Sequence, residues 1–198
     1  MGALPKPHLS VEDYIALERR LGAKLEYHQG QVYAMSGGSG AHILIQSNLV
    51  RHLGNRLEGT NCFALVPDLR VRILASDSYT YPDLSIVCGS LDLGKNQAAT
   101  NPKVLFEVLS PSTRRYDRVG KFELYRQIPS LEEYVLVEQD KYSIDRHSRQ
   151  PNGEWEATRF EGKDATLELT SVKITVPFKQ IYADVPFELA ERDPDQPY

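Results

Sequence analysis

A single carboxylate inside an otherwise apolar run constrains this chain more than any other feature. Val104, Leu105, Phe106, Glu107, Val108 and Leu109 are apolar on both alternating faces except at Glu107. Such a run reads as a strand buried on both sides. An ionised carboxylate in its middle is costly unless a cation or hydrogen-bond donors meet it. Something positive is therefore expected opposite Glu107, and the function is expected there.

The strand must end at Ser110-Pro111-Ser112-Thr113, because Pro111 cannot continue a ladder and Ser112 or Thr113 can cap a helix. From Tyr116 the residues Val119, Phe122, Tyr125 and Ile128 recur at helical spacing and predict a helix. Lys121 lies beside that stripe, with Asp117 one turn before it and Tyr125 one turn after. A helix folding back on the strand would carry Lys121 towards Glu107. Two blander pairings compete: Lys121 exposed and paired with Asp117, and Glu107 paired with Arg70 or Arg72. Tyr125 reads as a packing residue. Arg114, Arg115 and Arg118 read as a solvated helix start that could contact phosphates.

The 198 residues suffice for one domain with a real core. We expect it to run over residues 1–190, with a fraying, charged tail at 191–198. No run is apolar enough to span a membrane, and the N-terminal MGALPKPHLS lacks the layout of a secretory signal, so a cytoplasmic protein is expected. Gly2 raises N-myristoylation, but Lys6 stands where that motif wants Ser or Thr. Cys62 and Cys88 are expected to be buried free thiols, and their spacing gives no zinc signature. The formal charge of -4 argues against coating nucleic acid by bulk charge, though it permits a local basic patch around a site.

Taken in order, Ser10-Val11-Glu12-Asp13 resembles a capping box, and Tyr14, Leu17 and Leu21 mark a short helix ended by Gly22. Leu25 to Met35 predicts a hairpin turning at His28-Gln29-Gly30. Ser36 to Gly40 is a flexible turn without the order of a phosphate loop. A helix is predicted from about Ala41 to Leu57, with Ile43, Leu49, Val50, Leu53 and Leu57 on its apolar side and His42 at its start. Cys62–Leu74 and Tyr79–Cys88 predict a hairpin. A turn near Ala75-Ser76 would set Asp68 opposite or nearly opposite Asp83, a like-charged pair that suggests a cation between them. Leu131–Val137 reads as a central strand. Lys141–His147, Trp155–Phe160 and Leu167–Ile174 read as more exposed strands, and Pro177 to Tyr182 as a last helical turn.

Asp83 at a strand start, Glu107 in the next strand and Lys121 on the following helix make one constellation. Two carboxylates on neighbouring strands form a hard-oxygen site of low coordination, suited to Mg²⁺ that keeps waters and takes a phosphate. Such a metal polarises a phosphodiester and lowers the pKa of bound water. A nearby ammonium would orient that water and stabilise developing charge.

The ordered set Tyr81-Pro82-Asp83-Leu84-Ser85-Ile86-Val87, Phe106-Glu107-Val108-Leu109-Ser110-Pro111-Ser112-Thr113 and Tyr116-Asp117-Arg118 with Lys121-Phe122 and Tyr125-Arg126 resembles the Uma-two family of endonucleases. That family, formerly a domain of unknown function, is placed in the PD-(D/E)XK, restriction-endonuclease-like superfamily. The likeness covers nearly the whole chain before the tail. It implies a mixed α/β domain, a central sheet flanked by helices, with the site at one edge of the sheet, and often a homodimer. It also implies Asp83 and Glu107 as the motif acids and metal ligands. The superfamily's lysine two residues after the acid is Leu109 here, and Lys121 stands in for it. Glu26 and Asp68 match further acidic positions of the family and His42 a helix-start histidine.

The leading expectation is a Mg²⁺-dependent endonuclease, with Mn²⁺ as a possible substitute, acting on DNA through Asp83, Glu107 and Lys121. The alternative is a catalytically inactive nucleic-acid-binding or protein-interaction module on the same scaffold. A glycosidase is a third reading. It needs a sugar-stacking groove, and Trp155 lies far along the chain in an exposed-looking strand.

Overall fold

The computed structural model describes residues 8–35 and 37–187. The expected fraying tail therefore lies outside the described residues. Helix α1 (Val11–Leu21) starts at the anticipated capping box, where the Ser10 side chain accepts from the Asp13 backbone and Asp13 reaches back. It ends at Gly22, whose φ of 61° is the left-handed conformation that glycine adopts without cost. Strands β1 (Leu25–His28) and β2 (Gln31–Ala34) form the predicted hairpin. Gln29 and Gly30 both have positive φ, as a tight two-residue turn requires.

Helix α2 (Gly40–Leu57) is capped by Ser39. Beyond it, β3 (Cys62–Leu65), β4 (Val71–Ile73), β5 (Ser78–Thr80) and β6 (Leu84–Cys88) make the expected antiparallel excursion, but split between two sheets. The first sheet has order β2-β1-β5-β4. The second is the core of the domain. It contains β7 (Val104–Leu109), β8 (Glu133–Glu138), β9 (Ser143–Arg149) and β10 (Trp155–Glu161), in the order β10-β9-β8-β7-β6-β3. Only the β7–β8 pair in it is parallel, so the sheet is mixed. The segment between those two strands crosses one face, with a π-helical turn over Tyr116–Lys121 and then α3 (Phe122–Tyr125). A small hairpin, β11 (Thr166–Leu169) and β12 (Ile174–Pro177), and α4 (Phe178–Ile181) complete the chain.

The period-two pattern of β7 divides the core. Val104, Phe106 and Val108 pack with Ile45, Leu49 and Leu53 of α2 and with Phe178 and Ile181 of α4. Leu105 and Leu109 point the other way, into a cluster with Tyr125, Ile128, Leu131, Tyr134 and Leu136. Glu107 shares that second face with Leu105 and Leu109. The segment carrying Lys121 covers the same face. Among the described residues, no helix is long and apolar enough to cross a membrane.

Several expectations are corrected. Ile43 is 53% exposed, and Ile45 takes its place in the core, because the buried face of α2 runs through Ala41, Ile45, Leu49 and Leu53. Val119 is 61% exposed. The π-helical turn is wider than an α-turn and rotates the stripe, so that Asp117 and Lys121 face inward instead. Leu167–Ile174 is not one strand but parts of β11 and β12, with a turn between them. Strand β9 is mostly buried, since it lies inside the sheet rather than at its margin. Cys62 and Cys88 are not free thiols. They are direct register partners across β3 and β6, and they form a disulfide. The sequence could not show this, because strand register was not legible. Alkylation of the denatured protein without reductant should accordingly label neither cysteine. Labelling of both would contradict the bridge.

Candidate active site

Asp83 precedes β6, whose Leu84 pairs with Phe106, so continuing the register sets Asp83 opposite Glu107 on the same face of the sheet. A hydrogen bond fixes this arrangement: the Val108 backbone N–H donates to Asp83 Oδ2 at 2.7 Å. The other oxygen, Oδ1, lies 3.1 Å from both His42 Nε2 and Gln46 Nε2. His42 and Gln46 are one turn apart on α2 and so share a helix face. Gly38 leaves room for the His42 ring, because a Cβ there would approach it to 2.8 Å.

Lys121 is buried, and its Nζ lies between three buried carboxylates: Glu107 Oε1 at 3.0 Å, Glu26 Oε1 at 3.2 Å and Asp117 Oδ1 at 3.5 Å. The first sheet contributes Glu26, from β1, whose Oε1 also accepts from the Tyr81 backbone N–H at 3.1 Å. Tyr125 donates its hydroxyl to Glu107 Oε1 at 2.8 Å, so it both packs and holds the carboxylate. Tyr134 donates to the Asp117 carbonyl at 2.8 Å and anchors the π-helical turn.

These groups open into one cavity of about 430 Å³, whose lining includes Glu26, Asp83, Glu107, Asp117, His42 and Lys121. Four carboxyl groups thus face one ammonium and one imidazole. Burial pushes Glu107 well above the usual carboxylate range; Lys121 opposes this, while the charges of Asp117, Asp83 and Glu26 add to it. Burial likewise raises Asp117 against the pull of Lys121. Burial alone would lower Lys121, but Glu107, Glu26 and Asp117 together hold it well above its ordinary value. For His42 the hydrogen bond and charge of Asp83 outweigh burial, and its pKa rises. The cluster therefore retains protons that isolated groups would release.

The structure brings together Asp83, Glu107, Lys121, Glu26 and His42, all expected from sequence. It removes Asp68. That residue sits in the turn between β3 and β4, where the chain leaves the second sheet, with its side chain 76% exposed and paired with Lys24. Arg70 pairs with Glu18 and Arg72 with Asp77, so neither meets Glu107. Nor are Arg114 and Arg118 a solvated helix start: Arg114 pairs with Glu138 and Asp140, and Arg118 with Glu138 and Asp145. Sequence reading missed Gln46 and left Asp117 as a mere partner of Lys121. The four-residue spacing of His42 and Gln46 was the available signal for the first.

Oxygen donors in negative excess over their own cations suit a hard divalent ion. Among the described residues, no three His, Cys, Asp or Glu side chains are already gathered as a metal site. Asp83 and Glu107 could hold such an ion only with water or substrate oxygens completing its shell.

The chain matches the family model Uma2, described as "Putative restriction endonuclease", over residues 11–177, and belongs to that family. It is 39% identical over 183 residues to the uncharacterized protein slr1290 of Synechocystis, covering 92% of this chain and 96% of that one. A second Synechocystis protein, sll1609, is 32% identical over 168 residues, covering 84% and 95%. The fold is also that of a crystal structure from Anabaena variabilis, described as a putative nuclease belonging to DUF820. The two superpose with a TM-score of 0.70 at 18% identity over 88% of this chain and 98% of the other. The domain is thus a mixed α/β fold of the restriction-endonuclease-like kind, and its family is nuclease-like.

Two substitutions separate folding from chemistry here. Lys121→Ala leaves three buried carboxylates without their ammonium and should cost about 3–5 kcal/mol in denaturant unfolding. Glu107→Gln removes a buried anion while keeping its shape. The folded-state pKa of Glu107 is raised, so its contribution to stability is complete below the ordinary glutamate range and is lost as pH rises through the raised value. Glu107→Gln should therefore be at least as stable as the wild type at neutral pH, with a flatter fall in melting temperature above pH 5. A clear loss of stability at neutral pH would show that the ionised carboxylate is structural.

Proposed function

We propose that this protein is a Mg²⁺-dependent endonuclease that hydrolyses phosphodiester bonds in DNA, with Mn²⁺ able to replace Mg²⁺. The observation that carries this reading is the buried excess of carboxylates around Lys121 at the floor of an open cavity. Asp83 and Glu107 would hold the ion. When bound, it supplies a Lewis acid for the phosphoryl oxygen and lowers the pKa of a water. Lys121 then orients the attacking water and balances charge that develops on the phosphorus oxygens. Tyr125 keeps Glu107 aimed at the cavity, and His42 and Gln46 do the same for Asp83.

The proton-retaining cluster gives this reading a signature apart from turnover. A divalent ion must displace protons from the carboxyl groups, so its binding releases them. Calorimetric titration with Mn²⁺ should give an enthalpy that changes with the ionisation heat of the buffer, and no binding to Asp83→Asn. Incubation with supercoiled plasmid and with circular single-stranded DNA should show cleavage of at least one of them that requires Mg²⁺ or Mn²⁺. Asp83→Ala should reduce that cleavage by at least ~100-fold, the order expected when groups stabilising the transition state are lost. Equal cutting by Asp83→Ala, or none by the wild type with either ion, would contradict the proposal.

A non-catalytic module on the same scaffold is the second reading. It is favoured by the way Lys121 already occupies the space between Glu26, Glu107 and Asp117. It requires nucleic-acid or protein binding that is indifferent to Asp83→Asn and to metal.

A further inference from the structure

Part of the cavity's wall is aromatic. Tyr33 of β2 and Tyr116 at the head of the π-helical turn both line it, and their rings stack with centroids 6.5 Å apart and planes 29° apart. The pair is 50% and 39% exposed. Tyr125 and Tyr134 nearby are fully buried, with their hydroxyls committed to Glu107 and Asp117. The Tyr116 ring is seated by a small neighbour: a Cβ on Gly120 would come within 2.5 Å of its Cδ2. A stacked, half-exposed pair held open beside a charged cavity leaves π surface for a ligand.

Charge around the cavity narrows that ligand. Duplex recognition rests on Lys and Arg that replace counterions along the phosphates. Among the described residues lining the cavity, the only basic side chains are Lys121, held by three carboxylates, and His42, held by Asp83. Of the nearby arginines, Arg114 and Arg118 are paired with acids of β8, β9 and the turn between them, and Arg115 is exposed outside the cavity's lining. An intact duplex hides its base faces, whereas an unpaired strand offers them for stacking on aromatic side chains.

We infer that Tyr33 and Tyr116 form a stacking platform for an unpaired nucleobase, so that the substrate is single-stranded DNA or an unpaired end rather than an intact duplex. The inference rests on the nuclease reading, since it places the neighbouring phosphodiester over Asp83 and Glu107. Stacking supplies affinity that Lys121 and His42, already held by carboxylates, do not, and the carboxylates at the cavity's floor accept the backbone only once a divalent ion has neutralised them.

The test is fluorescence anisotropy of the full chain with a labelled thymidine 20-mer and with a blunt duplex of equal length. Ca²⁺ replaces Mg²⁺, because it neutralises carboxylates through oxygen contacts in a looser shell. The single strand should bind at least ~10-fold more tightly than the duplex, and Tyr116→Ala should weaken it by roughly 5- to 100-fold, the range for loss of one stacked base. Tyr116→Phe, which keeps the ring, should bind as the wild type does, and an unchanged melting temperature shows that each variant is folded. Equal affinity for both forms, no binding of the single strand, or no effect of Tyr116→Ala overturns the platform. If metal-dependent, Asp83-dependent cleavage persists in any of those cases, the nuclease reading stands without it. If the platform binds as expected but neither circular DNA is cut, it is the nuclease reading that fails.

Discussion

The contact on which the rest depends is the buried Lys121 ammonium between Glu107, Glu26 and Asp117. Each partner comes from a different part of the chain: a strand of the main sheet, a strand of the smaller sheet, and the π-helical turn that also carries the lysine. Four ionisable groups leave water together, a large cost that close pairing must offset. The fold is arranged to keep them close. Parallel pairing of β7 with β8 obliges the connecting segment to cross the face that Glu107 occupies, and the first sheet closes that face from the side.

The same contact explains why the site is chemically unfinished. One ammonium does not balance Glu26, Glu107, Asp117 and the adjoining Asp83, so the apo cluster retains protons. A divalent ion offers the same relief without a proton, and it would leave the lysine charged beside the reacting phosphate. Pairing inside the pocket and the proposed binding of a metal would thus be two answers to one electrostatic excess.

Much of this was legible in the sequence because the informative residues broke local rules. Glu107 in a doubly buried strand demanded a cation, and Lys121 was the candidate within one following helix. Ser10 with Asp13, Gln29-Gly30 and Pro177-Phe178 marked their caps and turns because those signals are local. What failed was non-local or depended on phase. Asp68 enters the expected site through a hairpin register and a match to an acidic position of the family, whereas the chain leaves the sheet between Leu65 and Val71. The disulfide needed the β3–β6 register. Val119 was misplaced because no pattern of period 3.6 announces a π-helical turn; Gly120 beneath the Tyr116 ring was its nearest trace.

The central claim is that the carboxylates of Asp83 and Glu107 jointly receive a divalent ion beside Lys121. Anomalous diffraction from crystals soaked in Mn²⁺ tests it most directly. The account predicts one strong peak within coordination distance of both carboxylates, with Lys121 still paired to Glu26 or Asp117. No peak in the cavity at saturating Mn²⁺, with the four acids and the lysine unmoved, would contradict it.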